Sequence, residues 1–100
     1  MSLTPAQEDA TRRELNLNFD LSGLTTKQIA EDLETSEEYI RELLALRPRR
    51  YDDTWILKNY LLKKVREQGK EPVPFTVLKA NPHHIWFLDG NYIDRGKITT

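Results

Sequence analysis

The chain is 100 residues long, with 15 Lys and Arg against 16 Asp and Glu, 38% apolar residues and no cysteine. Its size predicts one domain around one modest core, and the missing cysteine excludes disulfides, thiolate metal sites and a cysteine nucleophile. The longest apolar runs, such as Leu43-Leu44-Ala45-Leu46 and Ile85-Trp86-Phe87-Leu88, fall far short of the roughly 20 residues of a membrane helix, and Met1-Ser2-Leu3-Thr4-Pro5 has no signal-like pattern, so a cytoplasmic protein with no membrane partner is expected.

Thr4-Pro5-Ala6-Gln7 is a helix opening. Thr4 accepts from a first-turn N–H, Pro5 suits the first helical position and Gln7 reaches back to close a capping box. Glu8 and Asp9 complement the helix dipole. The first helix is predicted to reach about Asp20 or Leu21, with Ser22-Gly23 ending it. Its inward stripe is read as Ala6, Ala10, Leu17 and Leu21, which is thin.

A second helix is predicted from Thr25 or Thr26 to Leu33, with Ile29, Ala30 and Leu33 facing inward. Thr35-Ser36-Glu37-Glu38 repeats the capping chemistry and starts a third helix to about Leu46, with Ile40, Leu43 and Leu44 inward. Arg47-Pro48 stops it, because the residue before proline is pushed out of the helical region. Asp52-Asp53-Thr54 caps a fourth helix, from Trp55 to about Gln68, closed by Gly69. Its wide apolar face, including Trp55, Leu57, Tyr60, Leu61 and Val65, centres the core.

After Gly69, Glu71-Pro72-Val73-Pro74 is extended, since two prolines forbid a regular helix. Residues 75–79 read equally as a helical turn or a short strand. His84 to Leu88 and Asn91 to Ile93 flank Asp89-Gly90, the preferred two-residue hairpin turn, so a C-terminal β-hairpin or extended tail is expected, with loose last residues. The fold is thus mainly α: a small helical bundle over residues 1–70, and an extended segment over 71–100 packed on the same core.

Gly23 through Leu43 resembles a helix-turn-helix, spanning about residues 25–46, with small Ala30 where two helices cross closely. Glu34 opens the turn where glycine is usual, and Thr35 stands where an apolar residue is common. The outward face of the second helix of this pair carries Ser36, Glu37, Glu38, Arg41 and Glu42. Residues 34–46 hold 1 basic and 4 acidic side chains, whereas residues 47–70 hold 8 and 3. The positive charge therefore gathers beside the motif. Candidate contacts to double-stranded DNA are Arg47, Arg49, Arg50, Lys58 and Lys63, with Lys27 and Arg41 from the motif itself. Tyr51, Trp55 and Tyr60 could stack on bases, although Trp55 and Tyr60 are more simply core residues.

Trp86, Phe87 and Tyr92 cannot all be buried by a two-stranded ribbon, so a homodimer through helix 4 or the C-terminal aromatic segment is a further expectation. His83 and His84 are adjacent and cannot readily chelate one ion together, so no metal is expected. No glycine-rich phosphate loop or nucleophile elbow occurs, so neither a cofactor nor an enzyme is expected.

Gly23-Leu24-Thr25 leading to Gln28-Ile29-Ala30 and Asp32-Leu33, then Trp55 with Tyr60-Leu61, Glu67-Gln68-Gly69, and Pro72-Val73-Pro74-Phe75 with Val77-Leu78, resembles a family of small bacterial proteins grouped as a domain of unknown function with a predicted helix-turn-helix. The likeness covers the chain to about Phe87. It implies a bacterial cytosolic protein and supplies no catalytic residues. Two functions follow as expectations: a regulatory nucleic-acid-binding dimer, or a protein-interaction module that keeps the fold without binding DNA.

Overall fold

A computed structural model of the chain describes residues 4–78 and residue 98, with the Tyr51 side chain excepted. The described residues form four helices, α1 (Pro5–Ser22), α2 (Thr26–Leu33), α3 (Glu37–Leu44) and α4 (Tyr51–Glu67), and no strand. The expected hairpin over residues 84–93 lies outside them. Among the described residues no helix is long and apolar enough to cross a membrane.

Helix α1 starts as the sequence predicts. Gln7 N donates to Thr4 Oγ1 at 3.2 Å and Thr4 N donates to Gln7 Oε1 at 3.0 Å, a reciprocal capping box. Gly23 ends the helix at φ 68, the left-handed conformation that glycine adopts without a Cβ penalty.

The inward face of α1 is not the predicted one. Leu17 stands 43% exposed, Ala6 is exposed, and Ala10 and Leu21 are half-buried. The buried residues are Thr11, Glu14, Leu15, Asn18 and Ser22. The reason is a backbone partner that apolar periodicity cannot reveal. Residues 70–76 run back along α1 as an extended arm, and α1 satisfies its main chain. Val73 N donates to Asn18 Oδ1 at 2.8 Å while Asn18 Nδ2 donates to Val73 O at 2.9 Å. Farther along, Thr76 donates to Glu14 twice, from N at 3.1 Å and from Oγ1 at 2.8 Å. Gln68 Nε2 donates to Ser22 O, and Lys70 Nζ to Leu21 O at 3.1 Å. A buried polar group is cheap only when paired, and here the pairing fastens the arm so that Phe75 and Leu78 reach the core.

Helices α2 and α3 are eight residues each, joined by residues 34–36. Thr25 Oγ1 accepts from Gln28 N and Ser36 Oγ accepts from Tyr39 N, each at 3.1 Å. The α3 cap is thus a single Ser36 bond, not a reciprocal box. Glu34 occupies the left-handed region at φ 61, so the turn takes the glycine-like geometry without the glycine. Ile29, Ala30 and Leu33 from α2 meet Ile40, Leu43 and Leu44 from α3 in one buried cluster, joined by Tyr39.

Helix α3 stops two residues before the predicted end, because Leu46 also turns left-handed at φ 61 and Arg47 N bonds back to Glu42 O at 2.8 Å. Side chains of α1 cap the exposed carbonyls, with Asn16 Nδ2 on Leu44 O at 2.9 Å and Arg12 Nε on Ala45 O at 3.3 Å. Helix α4 begins at Tyr51 with Arg50 at the N-cap and no side-chain capping bond. Asp52 and Asp53 are therefore first-turn residues and not caps, a correction to the sequence reading. Trp55, Ile56, Leu57, Leu61 and Val65 form its buried face, as expected. Residues 71–75 carry no regular structure and 76–78 bend, so neither the helical turn nor the strand forms up to residue 78. At position 98 the tail is not loose: Ile98 is buried, and its N–H donates to Leu33 O at 2.8 Å.

Candidate nucleic-acid interface

The chain geometry that ends α3 and opens α4 builds a short basic loop, residues 47–50. Its anchor is Tyr39, a buried residue that the core list drawn from sequence omits. The Tyr39 hydroxyl donates to Asp53 Oδ2 and accepts from Arg49 N at 2.9 Å. Above the same ring lies the Arg49 guanidinium, 4.3 Å from the centroid, in cation–π geometry. Burial, followed by the bond to Asp53, pushes the Tyr39 pKa well above its usual value. Tyr39 therefore stays a neutral donor, and the buried Asp53 carboxylate keeps its hydroxyl partner.

The seven candidate cations meet different fates. Arg47 and Arg49 are exposed on the loop. Arg50 is drawn onto Asp52, its Nε 3.2 Å from Oδ2. On α3, Arg41 Nη2 pairs with Glu37 Oε2 at 2.8 Å, the oxygen that also accepts from Thr26 Oγ1 at 2.7 Å. Lys27 is exposed in the first turn of α2, and Lys63 is exposed on α4. Lys58 is half-buried, with its ammonium 5.0 Å from the Trp55 ring centroid and 6.0 Å from that of Phe75. Its pKa is lowered, first by desolvation and then by the like charge of Arg66.

The loop thus brings Arg47, Arg49 and Arg50 together, while α4 separates its two cations. At about 100° per residue, Lys58 and Lys63 stand about 140° apart around the helix, so they do not share a face. Trp55 is buried, and Tyr60 is half-buried with its hydroxyl donating to Asp32, so neither ring is presented for stacking on a base. Burial, then the bond to Asp32, raises the Tyr60 pKa as well.

The outer face of α3 is acidic as expected: Glu38 is exposed, Glu42 is half-buried, and the one cation beside them, Arg41, is tied to Glu37. Among the described residues no three His, Cys, Asp or Glu side chains converge to hold a metal ion; His83 and His84 lie outside them.

What the sequence reading missed was the polar side of α1. Thr11, Glu14, Asn18 and Ser22 recur at three- and four-residue steps, which is itself a helical stripe. Its signal was available, but in polar residues. Comparison with curated proteins and with solved structures gives no match. The model of a family described as an uncharacterized protein conserved in bacteria (DUF2316) matches residues 1–89, and the chain belongs to that family.

Proposed function

We propose that α2 and α3 form a helix-turn-helix used for protein interaction, in a binding protein and not an enzyme, with the acid-rich outer face of α3 docking on a basic partner surface. The observation that carries this reading is the pairing of Arg41 with Glu37 beside Glu38 and Glu42. Duplex DNA carries about one negative charge per 1.7 Å of axis, so α3 approaching a groove sets carboxylates against phosphates. An exposed ion pair is worth at most about 1 kcal/mol, so Arg41 can be released to a phosphate. Its release leaves Glu37 as one more uncompensated charge.

A second reading, a cytoplasmic regulatory protein that binds duplex DNA as a dimer, is favoured by the exposure of Arg47 and Arg49 on one loop. In that case the loop makes the phosphate contacts, with Lys27, Lys58 and Lys63 outlying.

Fluorescence anisotropy separates the two. With a labelled mixed-sequence duplex at about 50 mM salt, the interaction reading expects no binding, whereas a labelled oligo-arginine peptide binds and Glu38→Lys with Glu42→Lys releases it. Duplex binding that weakens steeply with added salt, and that Arg47→Glu with Arg49→Glu abolishes, overturns this reading and establishes the second.

A further inference from the structure

Four apolar residues of α1 lie along one line of the helix: Ala6, Ala10, Leu17 and Leu21 fall within about 60° of one another. Leu17 is 43% exposed, and the other three are exposed or half-buried. The arm that Glu14 and Asn18 hold runs beside the stripe on its Leu21 edge, and the core covers α1 beyond it, at Thr11, Leu15 and Ser22. The apolar face of α4, one of the two surfaces expected to form a dimer, is already covered inside the chain.

The four positions have an internal symmetry. Ala6 and Leu21 are equidistant from the midpoint between Arg13 and Glu14, and so are Ala10 and Leu17. A second α1 running in the opposite direction about that midpoint therefore sets each alanine against a leucine. Small against large is the arrangement that lets two helices approach closely and interdigitate. A parallel copy would instead set leucine on leucine and alanine on alanine.

The rim agrees in charge. Arg13 and Asp20, both exposed, lie on the same flank of the stripe, and a two-fold axis brings like flank to like flank. Helical side chains lean toward their own N-terminus. Arg13 thus leans toward the end where the reversed copy presents its second half, and so toward that copy's Asp20. The two arginines diverge from the axis, each to the opposite acid.

We propose that α1 is a homodimer interface, pairing with a second copy antiparallel about the point between Arg13 and Glu14. The inference is independent of whether the protein binds DNA. An 18-residue helix is about 27 Å long, and a pair of such helices buries less than the about 1,200 Å² of a standard interface. Association should therefore be weak, in the micromolar range.

Sedimentation velocity from about 1 μM to about 1 mM of the full chain reads the result. Wild type should shift toward the dimer mass with concentration, and Leu17→Glu should remain a monomer with an unchanged helical circular dichroism spectrum. The natural absence of cysteine permits a test of direction. Under mild copper–phenanthroline oxidation Arg13→Cys should cross-link to itself. An equal mixture of Ala6→Cys and Leu21→Cys should give the mixed disulfide well beyond the twofold excess over either homodimer that random pairing gives. A wild-type monomer at the highest concentration, undiminished dimerisation of Leu17→Glu, or a mixed product no greater than random pairing gives would each overturn the proposal.

Discussion

Asn18 is the sharpest test of how the arm is held. Its fully buried side chain gives and takes one hydrogen bond with the main chain of Val73, and its Nδ2 also donates to Glu14 O at 2.9 Å. In Asn18→Ala the N–H and C=O of Val73 both lose their partner. A buried polar group left unpaired costs about 1–3 kcal/mol. Val73 is only half-buried, so the lower part of that range applies to each of its two groups and about 2–4 kcal/mol of destabilisation is expected. Lifting the arm into water offers no easier route. It would expose Phe75 and Leu78, each 7% accessible, at about 1.5–3 kcal/mol per side chain. Urea unfolding read by circular dichroism should show the loss as a lower midpoint at constant slope, and hydrogen exchange should show faster exchange at the Val73 and Thr76 amides. Because Glu14 fastens the same arm, Glu14→Ala should cost less in the Asn18→Ala background than alone. A destabilisation under about 0.5 kcal/mol, with both amides still protected, would refute the reasoning.

The two tyrosine–carboxylate bonds predict a falling stability in alkali. Tyr39 and Tyr60 both have raised folded-state pKa values, so the unfolded chain gives up those protons first. The stability they contribute is intact below about pH 10, the unfolded value, and declines as pH rises above it. Thermal melts across that range should show the decline, and Tyr39→Phe with Tyr60→Phe should flatten it. Thr35 Oγ1 and Thr54 Oγ1 are buried with no hydrogen-bond partner. Replacing either threonine by valine, which keeps the shape, should therefore raise stability by about 1 kcal/mol in urea unfolding. Glu34→Gly should gain about 1 kcal/mol by relieving a left-handed backbone at φ 61; a lower melting temperature in that variant would show that the Glu34 side chain supplies more than its backbone costs.

Helices α2, α3 and α4 were legible because their inward residues are apolar and recur at helical spacing. Ile29, Leu33, Ile40, Leu43, Leu57 and Leu61 are all buried, and the caps at Thr25 and Ser36 stand close to where hydroxyls precede the apolar runs. The point at which α4 begins was not legible. Two aspartates ahead of a tryptophan look like caps, yet Asp53 lies inside the helix, where the Tyr39 hydroxyl partners it from another helix. That bond joins residues 14 positions apart, a distance no local pattern encodes. The fate of the cations is hidden for a different reason. Arg41 and Arg50 look available in the sequence, and only their ion pairs with Glu37 and Asp52 show that each arrives already engaged.

The rotation of the buried face of α1 away from its apolar stripe has one cause. A rule that sends apolar side chains inward assumes that every neighbouring element is a side-chain surface, but α1, besides packing on α4 and α3, carries the main chain of an arm containing Pro72 and Pro74. Proline has no N–H to give, so the arm cannot pair with a strand at every position. It needs isolated acceptors and donors where its remaining amides fall, at Val73 and Thr76. Asn18 and Glu14 stand one helical turn apart, at the matching height, and supply them. Once Glu14 and Asn18 share the inner side with Leu15, the apolar residues Ala6, Ala10, Leu17 and Leu21 are left exposed or half-buried. The clamp that secures residues 70–76 and the stripe offered to a second copy are thus two consequences of one choice of residues. Returning α1 to the ordinary pattern, with Asn18→Leu and Leu17→Asn, should release the arm and abolish self-association together.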